Sequence, residues 1–299
     1  MITLQRSVGE QALVEALPAA VAAVAALLTQ LGDVWFLFLL LGTLYVTSGR
    51  PPGVGAVTDR DGAAFVLALA LGAIALTTGL KALFGLPRPP TASVAVGADL
   101  LPDLVRPVYE STATADGAGF PSGHALGSTV VYGGLALALE VGTRRQRVAG
   151  AALLAGLVGL SRVAIGVHYV ADILAGWALG VAYLAVVATL ADRGALPGRA
   201  FLAAVAVAVL SLATGVGFER VAVLGAALGG MLAWLAVGDD RPRLASGTLA
   251  VAGAGVVVLG GVFGATFAIE PEPLPTLVAT ATVVGGVVAL PSALDRLTV

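Results

Sequence analysis

The chain of 299 residues contains no cysteine, which excludes disulfide bonds and thiolate chemistry. Charged residues make up only 11% of the sequence, and the formal net charge is −2 with a pI near 5.7. This balance gives no basic surface for the phosphates of a nucleic acid, so we expect no nucleic-acid partner. There is a single lysine, Lys81, and only two histidines, His124 and His168. Ionisable groups this scarce in an apolar chain are the first candidates for a functional site.

Apolar residues are in large excess, at 58% of the sequence, and the mean hydropathy is +0.98. The apolar runs are continuous and do not alternate, which favours membrane helices over a barrel. The runs lie at about 12–31, 33–48, 63–85, 124–142, 148–166, 169–190, 200–217, 221–237, 245–268 and 275–293. We therefore predict an all-α, polytopic transmembrane bundle of about ten helices. Glu15 and Pro18 interrupt the first run, and if it lies on the membrane surface instead, nine helices cross.

The sequence predicts two parts, divided near 192–199, where Gly194, Pro197 and Gly198 break the helical pattern. Residues 1–191 would form a core of six helices, with a long polar connection at 86–120. Residues 192–299 would add four more membrane helices without candidate chemistry. We expect these four to be extra scaffold or a surface for homo-oligomers, and a transport module is the alternative.

Arginines in alternate loops set the predicted orientation. By the positive-inside rule these loops are cytoplasmic, so the protein would lie in the cell membrane with a cytoplasmic C-terminus. The connection 86–120 and the turn before His168 then lie on the extracytoplasmic side. The loop arginines are Arg50, Arg60, Arg144, Arg145, Arg147, Arg193, Arg199, Arg241, Arg243 and Arg296.

Lys81 and Arg88 form the first group of candidate residues. Lys81 ends a predicted helix, and the glycine and prolines that follow turn the chain, so both cations can converge at the membrane surface. An arginine fork matches phosphate oxygens, and lysine adds a compact charge. The alternative is ordinary snorkelling of long basic side chains at a helix end.

Ser122, Gly123 and His124 form the second group, directly before an apolar run. Ser122 can cap the helix, whose free N–H groups attract an anion, and Gly123 allows close approach to it. His124 is a potential proton donor in the same space. The alternative is a simple cap with an interfacial histidine.

Arg162, His168 and Asp172 form the third group. Arg162 ends one predicted helix, and the spacing of four places His168 and Asp172 on one face of the next. The carboxylate can hold one ring nitrogen protonated and leave the other as a nucleophile. The alternatives are a His–Asp pair that only joins helices, and a metal site, for which no third histidine is available.

In order and intervals, these groups resemble the type 2 phosphatidic acid phosphatase superfamily. The matching segments are Lys81 with six residues before Arg88-Pro89, then Pro121-Ser122-Gly123-His124, then Ser161-Arg162 with five residues before His168 and three before Asp172. The resemblance covers about 63–190, and no motif position is missing. As an integral membrane chain, it looks more like the lipid phosphatases and glucose 6-phosphatase than the soluble acid phosphatases or vanadium haloperoxidases.

The resemblance implies a phosphatase without a metal or other cofactor, acting on a lipid phosphate in the bilayer. It implies that His168 attacks phosphorus to form a phosphohistidine, that Asp172 orients it, and that His124 protonates the leaving group. The phosphate oxygens would be held by Lys81, Arg88, Ser122, Gly123 and Arg162. Two alternatives stay open: a phosphatase of a soluble inositol or sugar phosphate, and a phospholipid-binding or transport protein without catalysis.

Overall fold

The computed structural model describes residues 6–47, 56–238, Leu244 and 246–298. Within these ranges every regular element is helical, which confirms the predicted all-α fold. The twelve α-helices of the described residues are α1 (Glu10–Glu15), α2 (Ala19–Thr29), α3 (Val34–Val46), α4 (Arg60–Phe84), α5 (Arg106–Ala113), α6 (Gly123–Ala138), α7 (Arg144–Ala164), α8 (Val170–Leu190), α9 (Pro197–Leu212), α10 (Phe218–Val237), α11 (Ser246–Ile269) and α12 (Pro273–Thr298).

Within the part of the chain that the structure describes, six helices are long and apolar enough to cross a membrane: α4, α7, α8, α10, α11 and α12. Helices α2 and α3 pass the same test together, as a pair bent by 42° at a short break. Helices α6 and α9 have 16 residues each, a rise of about 24 Å that falls short of a bilayer core of roughly 30 Å. The chain is thus a polytopic membrane protein. Three of the predicted cytoplasmic arginines, Arg50, Arg241 and Arg243, lie outside the described residues.

Helix α4 runs through the middle of the bundle. Every residue from Ala63 to Leu71 is buried, and the helix packs against α3, α6, α9 and α10. A helix that is apolar on all sides is expected at such a central position. Asp59 caps its N-terminus by accepting a 2.7 Å hydrogen bond from the Gly62 N–H. The helix ends at Phe84, before Gly85 in the left-handed conformation at φ +55°. Lys81 therefore lies in the last turn of the central helix, as predicted.

The first predicted run is broken rather than continuous. Helices α1 and α2 are separated at 16–18, where Pro18 precedes the second helix. A Cβ on Gly166 would lie 3.3 Å from Val14, and Arg162 bonds Thr29, so both ends of the run lie near the α7–α8 turn. The segment from Arg6 to Asp33, called the N-terminal segment below, therefore stays at one end of the bundle. This placement supports the alternative prediction, in which the first run does not cross.

The connection 86–120 contains two 3-10 turns, Pro90–Ser93 and Ala98–Leu100, together with α5. It covers the α7–α8 turn and packs on α2 through a small apolar cluster. The cluster consists of Ala25, Ala26, Ala92, Ala113, Ile165 and Val167. The connection thus closes over the end of the bundle that carries the α7–α8 turn.

The C-terminal helices pack directly on the core. Helix α9 lies against α4, while α10 contacts α4, α9 and α12. A 3-10 turn at Asp192–Gly194 separates α8 from α9, at the position where the sequence predicts the division. One buried apolar cluster nevertheless extends from Leu37 of α3 to Val288 of α12. The last four helices therefore share a hydrophobic core with the earlier ones.

Candidate active site

The turn between α7 and α8 presents a histidine beside a carboxylate. Gly166 has φ +75°, and a Cβ here would lie 2.9 Å from Thr91 Oγ1, so the turn needs glycine. His168 Nδ1 lies 3.2 Å from Asp172 Oδ2, one helical turn further on. The same Oδ2 accepts a hydrogen bond from the Tyr169 N–H at 3.1 Å. The backbone thus fixes the carboxylate, and the carboxylate orients the imidazole.

The tautomer of His168 follows from its other ring nitrogen. Arg88 Nη1 lies 3.0 Å from His168 Nε2, and a guanidinium only donates hydrogen bonds. We therefore assign Nε2 as the acceptor and place the ring proton on Nδ1, facing Asp172. Arg88 is held by carbonyl oxygens, with Nε 2.8 Å from Asp116 and Nη1 3.1 Å from Val167. The Nε2 lone pair consequently faces the cationic side of the site.

The charge state of His168 is set by its surroundings. Burial lowers its pKa well below the ordinary value, and the positive charges of Arg88 and Arg162 lower it further. The imidazole is therefore neutral at neutral pH. A neutral ring whose Nε2 carries no proton is the form that can attack phosphorus.

The start of α6 brings backbone N–H groups to the same end. Ser122 Oγ accepts a hydrogen bond from the Ala125 N–H at 3.4 Å, which confirms the predicted cap. The Ser122 N–H donates to the Asp172 carbonyl at 3.1 Å and so ties α6 to α8. Gly123 packs on α4, where a Cβ would lie 2.9 Å from Thr77 Cγ2. The first turn of α6 is thereby held where its N–H groups suit an anion.

Lys81 and Arg162 supply positive charge from α4 and α7. Arg162 is buried, and its Nη1 donates to Thr29 Oγ1 at 3.1 Å. Its Nε has no hydrogen-bond partner among the described residues. An unsatisfied buried donor is costly, and a phosphate oxygen is an acceptor of the right charge. Lys81 lies beside His124 on the wall of a cavity.

The eight predicted site residues lie together at this end of the bundle, joined by hydrogen bonds, by charge interactions and by the shared cavity. They are Lys81, Arg88, Ser122, Gly123, His124, Arg162, His168 and Asp172. Three cations, two imidazoles, a carboxylate and a helix start can bind a phosphate and offer it a nucleophile and an acid.

The N-terminal segment adds contacts that the sequence motifs did not reveal. Arg6 pairs with Asp172 Oδ1 and donates to the Pro87 carbonyl, while Glu10 Oε1 accepts the Val170 N–H at 3.2 Å. Arg6 had no sequence signal, because its partner lies 166 residues away.

Asp33 is a further residue that the motifs missed. Its Oδ2 lies 3.8 Å from His124 Nε2. The sequence does contain a signal for Asp33. A lone carboxylate between two apolar runs is costly, and this marks it as a functional candidate.

A cavity of about 280 Å³ adjoins Lys81 and His124. Its walls come from α3, α4 and α6, and also from three C-terminal helices. The C-terminal lining consists of Glu219, Ala222, Val223 and Ala226 of α10, Phe263 and Phe267 of α11, and Val284 of α12. All but Glu219 are apolar, so the cavity suits an apolar group placed next to the phosphate site.

Comparisons with known proteins agree with the geometry. Residues 61–196 match the model of the PAP2 superfamily. Over 86 residues the chain is 37% identical to phosphatidylglycerophosphatase B of Bacillus subtilis (strain 168), a stretch that covers 27% of this chain and 40% of that protein. The chain thus matches less than half the length of that curated relative, and no solved structure matches it significantly. The matched region, 61–196, holds all eight predicted site residues, and this part of the chain is similar to the PAP2 superfamily.

Proposed function

We propose that the protein is a phosphatase that removes phosphate from a membrane lipid phosphomonoester or diphosphate through a phosphohistidine on His168, without a metal ion. One observation carries the proposal: Asp172 holds Nδ1 of the buried His168, while Nε2 faces the guanidinium of Arg88. A phosphate bound by Arg88 would bring its phosphorus to that nitrogen.

In the first step, His168 Nε2 forms a bond to phosphorus and the bond from phosphorus to the ester oxygen breaks. The ring becomes cationic, and Asp172 stabilises it through Nδ1. His124 gives a proton to the departing oxygen, which leaves as an alcohol or, from a diphosphate, as a phosphate.

In the second step, water attacks the phosphohistidine and His124 takes a proton from it. The bond between nitrogen and phosphorus breaks, and inorganic phosphate leaves. In both steps charge builds on the equatorial oxygens of phosphorus, and preorganised donors stabilise it. The donors available are the side chains of Lys81, Arg88, Arg162 and Ser122 and the N–H of Gly123.

The cations supply the charge that a metal ion supplies in other phosphatases. Within the described ranges, no three His, Asp or Glu side chains cluster as ligands of a metal. We therefore expect phosphate release from lipid phosphates by purified protein to continue in EDTA and to be inhibited by vanadate, which mimics five-coordinate phosphorus. Loss of activity in EDTA with recovery on adding Mg²⁺ would contradict the proposal.

The cavity beside His124 favours a lipid over a soluble substrate. When the phosphorus of the substrate is bound at His168, its leaving group would point toward His124. The cavity wall there is mainly apolar among the described residues. A hydrocarbon chain fits an apolar wall, whereas the hydroxyl groups of an inositol or sugar would lose their hydrogen bonds to water there. The His168–Asp172 pair likewise favours hydrolysis over simple binding, since binding requires only the cations. On this proposal the C-terminal helices help to bind the substrate chain.

Filling the cavity should therefore shorten the preferred chain. We expect Ala226→Phe to lower the ratio of long-chain to short-chain hydrolysis by about 10-fold or more, because the phenyl group fills space that a long chain needs and a short chain does not. Ala236→Phe, on an exposed face of the same helix, is the matched control and should leave the ratio unchanged. Val223→Phe fills the same cavity and tests the effect if Ala226→Phe folds poorly. An unchanged ratio in both cavity variants would place the chain elsewhere.

We further propose that the site faces the extracytoplasmic side, as the alternating loop arginines indicate. Leu104, 89% exposed in the connection 86–120, lies on the predicted outer side, and Arg145, in the first turn of α7, lies on the predicted cytoplasmic side. The chain has no native cysteine, so single cysteines at these positions report their own exposure. An impermeant maleimide should label Leu104→Cys in intact cells and Arg145→Cys only after lysis. The reverse pattern would place the site in the cytoplasm.

A further inference from the structure

Asp33 stands at the break between the N-terminal segment and α3. It occupies the N-cap position of α3, with φ −76° and ψ 146°, yet its side chain makes no capping hydrogen bond. An aspartate at an N-cap usually accepts a hydrogen bond from the first turn of its helix. Here Oδ2 is instead 3.8 Å from His124 Nε2. The carboxylate thus lies beside the second histidine of the site.

The close approach of Asp33 to His124 is built into the packing around it. Tyr132 of α6 donates a 2.6 Å hydrogen bond to the Leu31 carbonyl. A Cβ on Gly32 would overlap Val158 Cγ1 and lie 3.4 Å from His124 Cδ2, so only glycine lets the segment pass. Helices α6 and α7 therefore fix the residues directly before Asp33.

The same segment also supports the other side of the site. Thr29 Oγ1 accepts the hydrogen bond from Arg162, four residues before Asp33. The region that matches the PAP2 superfamily begins at residue 61, so neither residue lies within it. The N-terminal segment thus contacts both Arg162, a cation proposed to bind phosphate, and His124, the candidate acid.

His124 needs such a partner for the work proposed for it. A general acid must carry its proton when the leaving group departs. Burial disfavours a protonated His124 ring, and the charges of Arg162 of α7 and Lys81 of α4 disfavour it further. Its Nε2 has no hydrogen-bond partner among the described residues. The carboxylate of Asp33 lies 3.8 Å from this nitrogen, and a nearby negative charge favours the protonated form of the ring.

We infer that Asp33 is a positioning residue, which holds His124 as the protonated acid aimed at the leaving group. The site then has two carboxylate–imidazole pairs: Asp172 with the nucleophile His168, and Asp33 with the acid His124. The distance of 3.8 Å exceeds a hydrogen bond, and such contacts tighten when substrate binds. The inference rests on the proposed function, because it assigns Asp33 to that reaction.

The test uses an alkyl phosphate, whose leaving group needs a proton, and an aryl phosphate, whose leaving group needs little help. Asp33→Asn keeps the size of the side chain and removes its charge. We expect kcat for the alkyl substrate to fall by about 10- to 100-fold, part of the effect of a general acid, and kcat for the aryl substrate by less than about 3-fold. Asp33→Glu should restore part of the alkyl rate. Asp99→Asn, an exposed acid of the 86–120 connection, should change neither rate.

A double mutant separates positioning from general support of the fold. In a His124→Ala background, Asp33→Asn should cause no further loss with the alkyl substrate, because the residue acts through the histidine. Equal losses on both esters, or additive losses in the double mutant, would overturn the inference. The aryl rate also reports folding, and if Asp33→Asn fails to fold, Asp33→Glu is judged by the same ratio. Wild-type protein that hydrolyses neither ester would instead overturn the proposed function.

Discussion

Replacing His168 with alanine is expected to lower phosphate release by about 10⁴-fold or more with every substrate, alkyl or aryl. The reason is that the variant loses the atom that bonds to phosphorus, and a better leaving group cannot replace it. His168 is buried against Asp172, so alanine leaves a small cavity while the cations remain. Initial rates of phosphate release from purified protein in detergent measure the effect.

Asp172→Asn is the matched comparison for His168→Ala. The amide keeps its size but can present an N–H to Nδ1, which disturbs the tautomer, so we expect a large loss. The double variant should be no slower than His168→Ala alone, because both residues act as one unit. Retention of more than about 1% of the alkyl activity by His168→Ala would exclude it as the nucleophile.

Replacing His124 with alanine is expected to have the second largest effect, and it should depend on the leaving group. With an alkyl phosphate we expect a loss of about 10²- to 10⁴-fold, the usual contribution of a general acid. With an activated aryl phosphate the first step should be nearly unaffected, because the phenolate leaves without a proton. A series of esters with leaving groups of graded pKa, compared by rate, measures this dependence.

One outcome would contradict the role of His124 as the acid. It is an equal loss in the rate of the first step on aryl and alkyl esters, measured as release of the phenol or alcohol in a single turnover. This result would leave the dependence on the leaving group unchanged and would assign His124 to phosphate binding or to the fold. Gly150 of α7 lies outside the lining of the cavity, and Gly150→Ala is a suitable control. Its added Cβ meets open space, so both rates should stay near wild type.

The predictable part of the site is the part set by short stretches of chain. The hydroxyl of Ser122 caps the helix that begins at the next residue, and Asp172 lies one turn from His168. Gly85 ends the helix that carries Lys81. These relations depend on local geometry and residue type, so a single sequence displays them.

The predicted helix boundaries are less accurate where a helix begins or ends outside its apolar run. Helix α7 was predicted to begin near 148, but it begins at Arg144, because Thr143 and Gln146 form a capping box before the apolar run. Helix α6 was predicted to reach 142, yet it ends at Ala138, where Leu139 is extended. Apolar content indicates which residues lie in the hydrocarbon layer of the membrane. The ends of a helix are set instead by capping residues and backbone geometry.

Long-range contacts could not be predicted from one sequence. Arg6 and Asp172 are 166 residues apart, and only the folded N-terminal segment brings them together. The cavity wall from α10, α11 and α12 was hidden for the same reason, since side chains such as Val223 and Phe267 look like ordinary membrane-helix residues. Their meaning comes from helix packing, which hydropathy does not encode.

The central claim is the covalent intermediate on His168, and rapid quenching with phosphorus-labelled aryl phosphate tests it most directly. The experiment is best done with His124→Ala, because this variant should form the intermediate and lack the base that activates water. We predict label that is stable in alkali and lost in acid, as expected for phosphorus bonded to nitrogen, and that maps to the peptide containing His168. No label in either wild type or His124→Ala, or label on a different residue, would contradict the account.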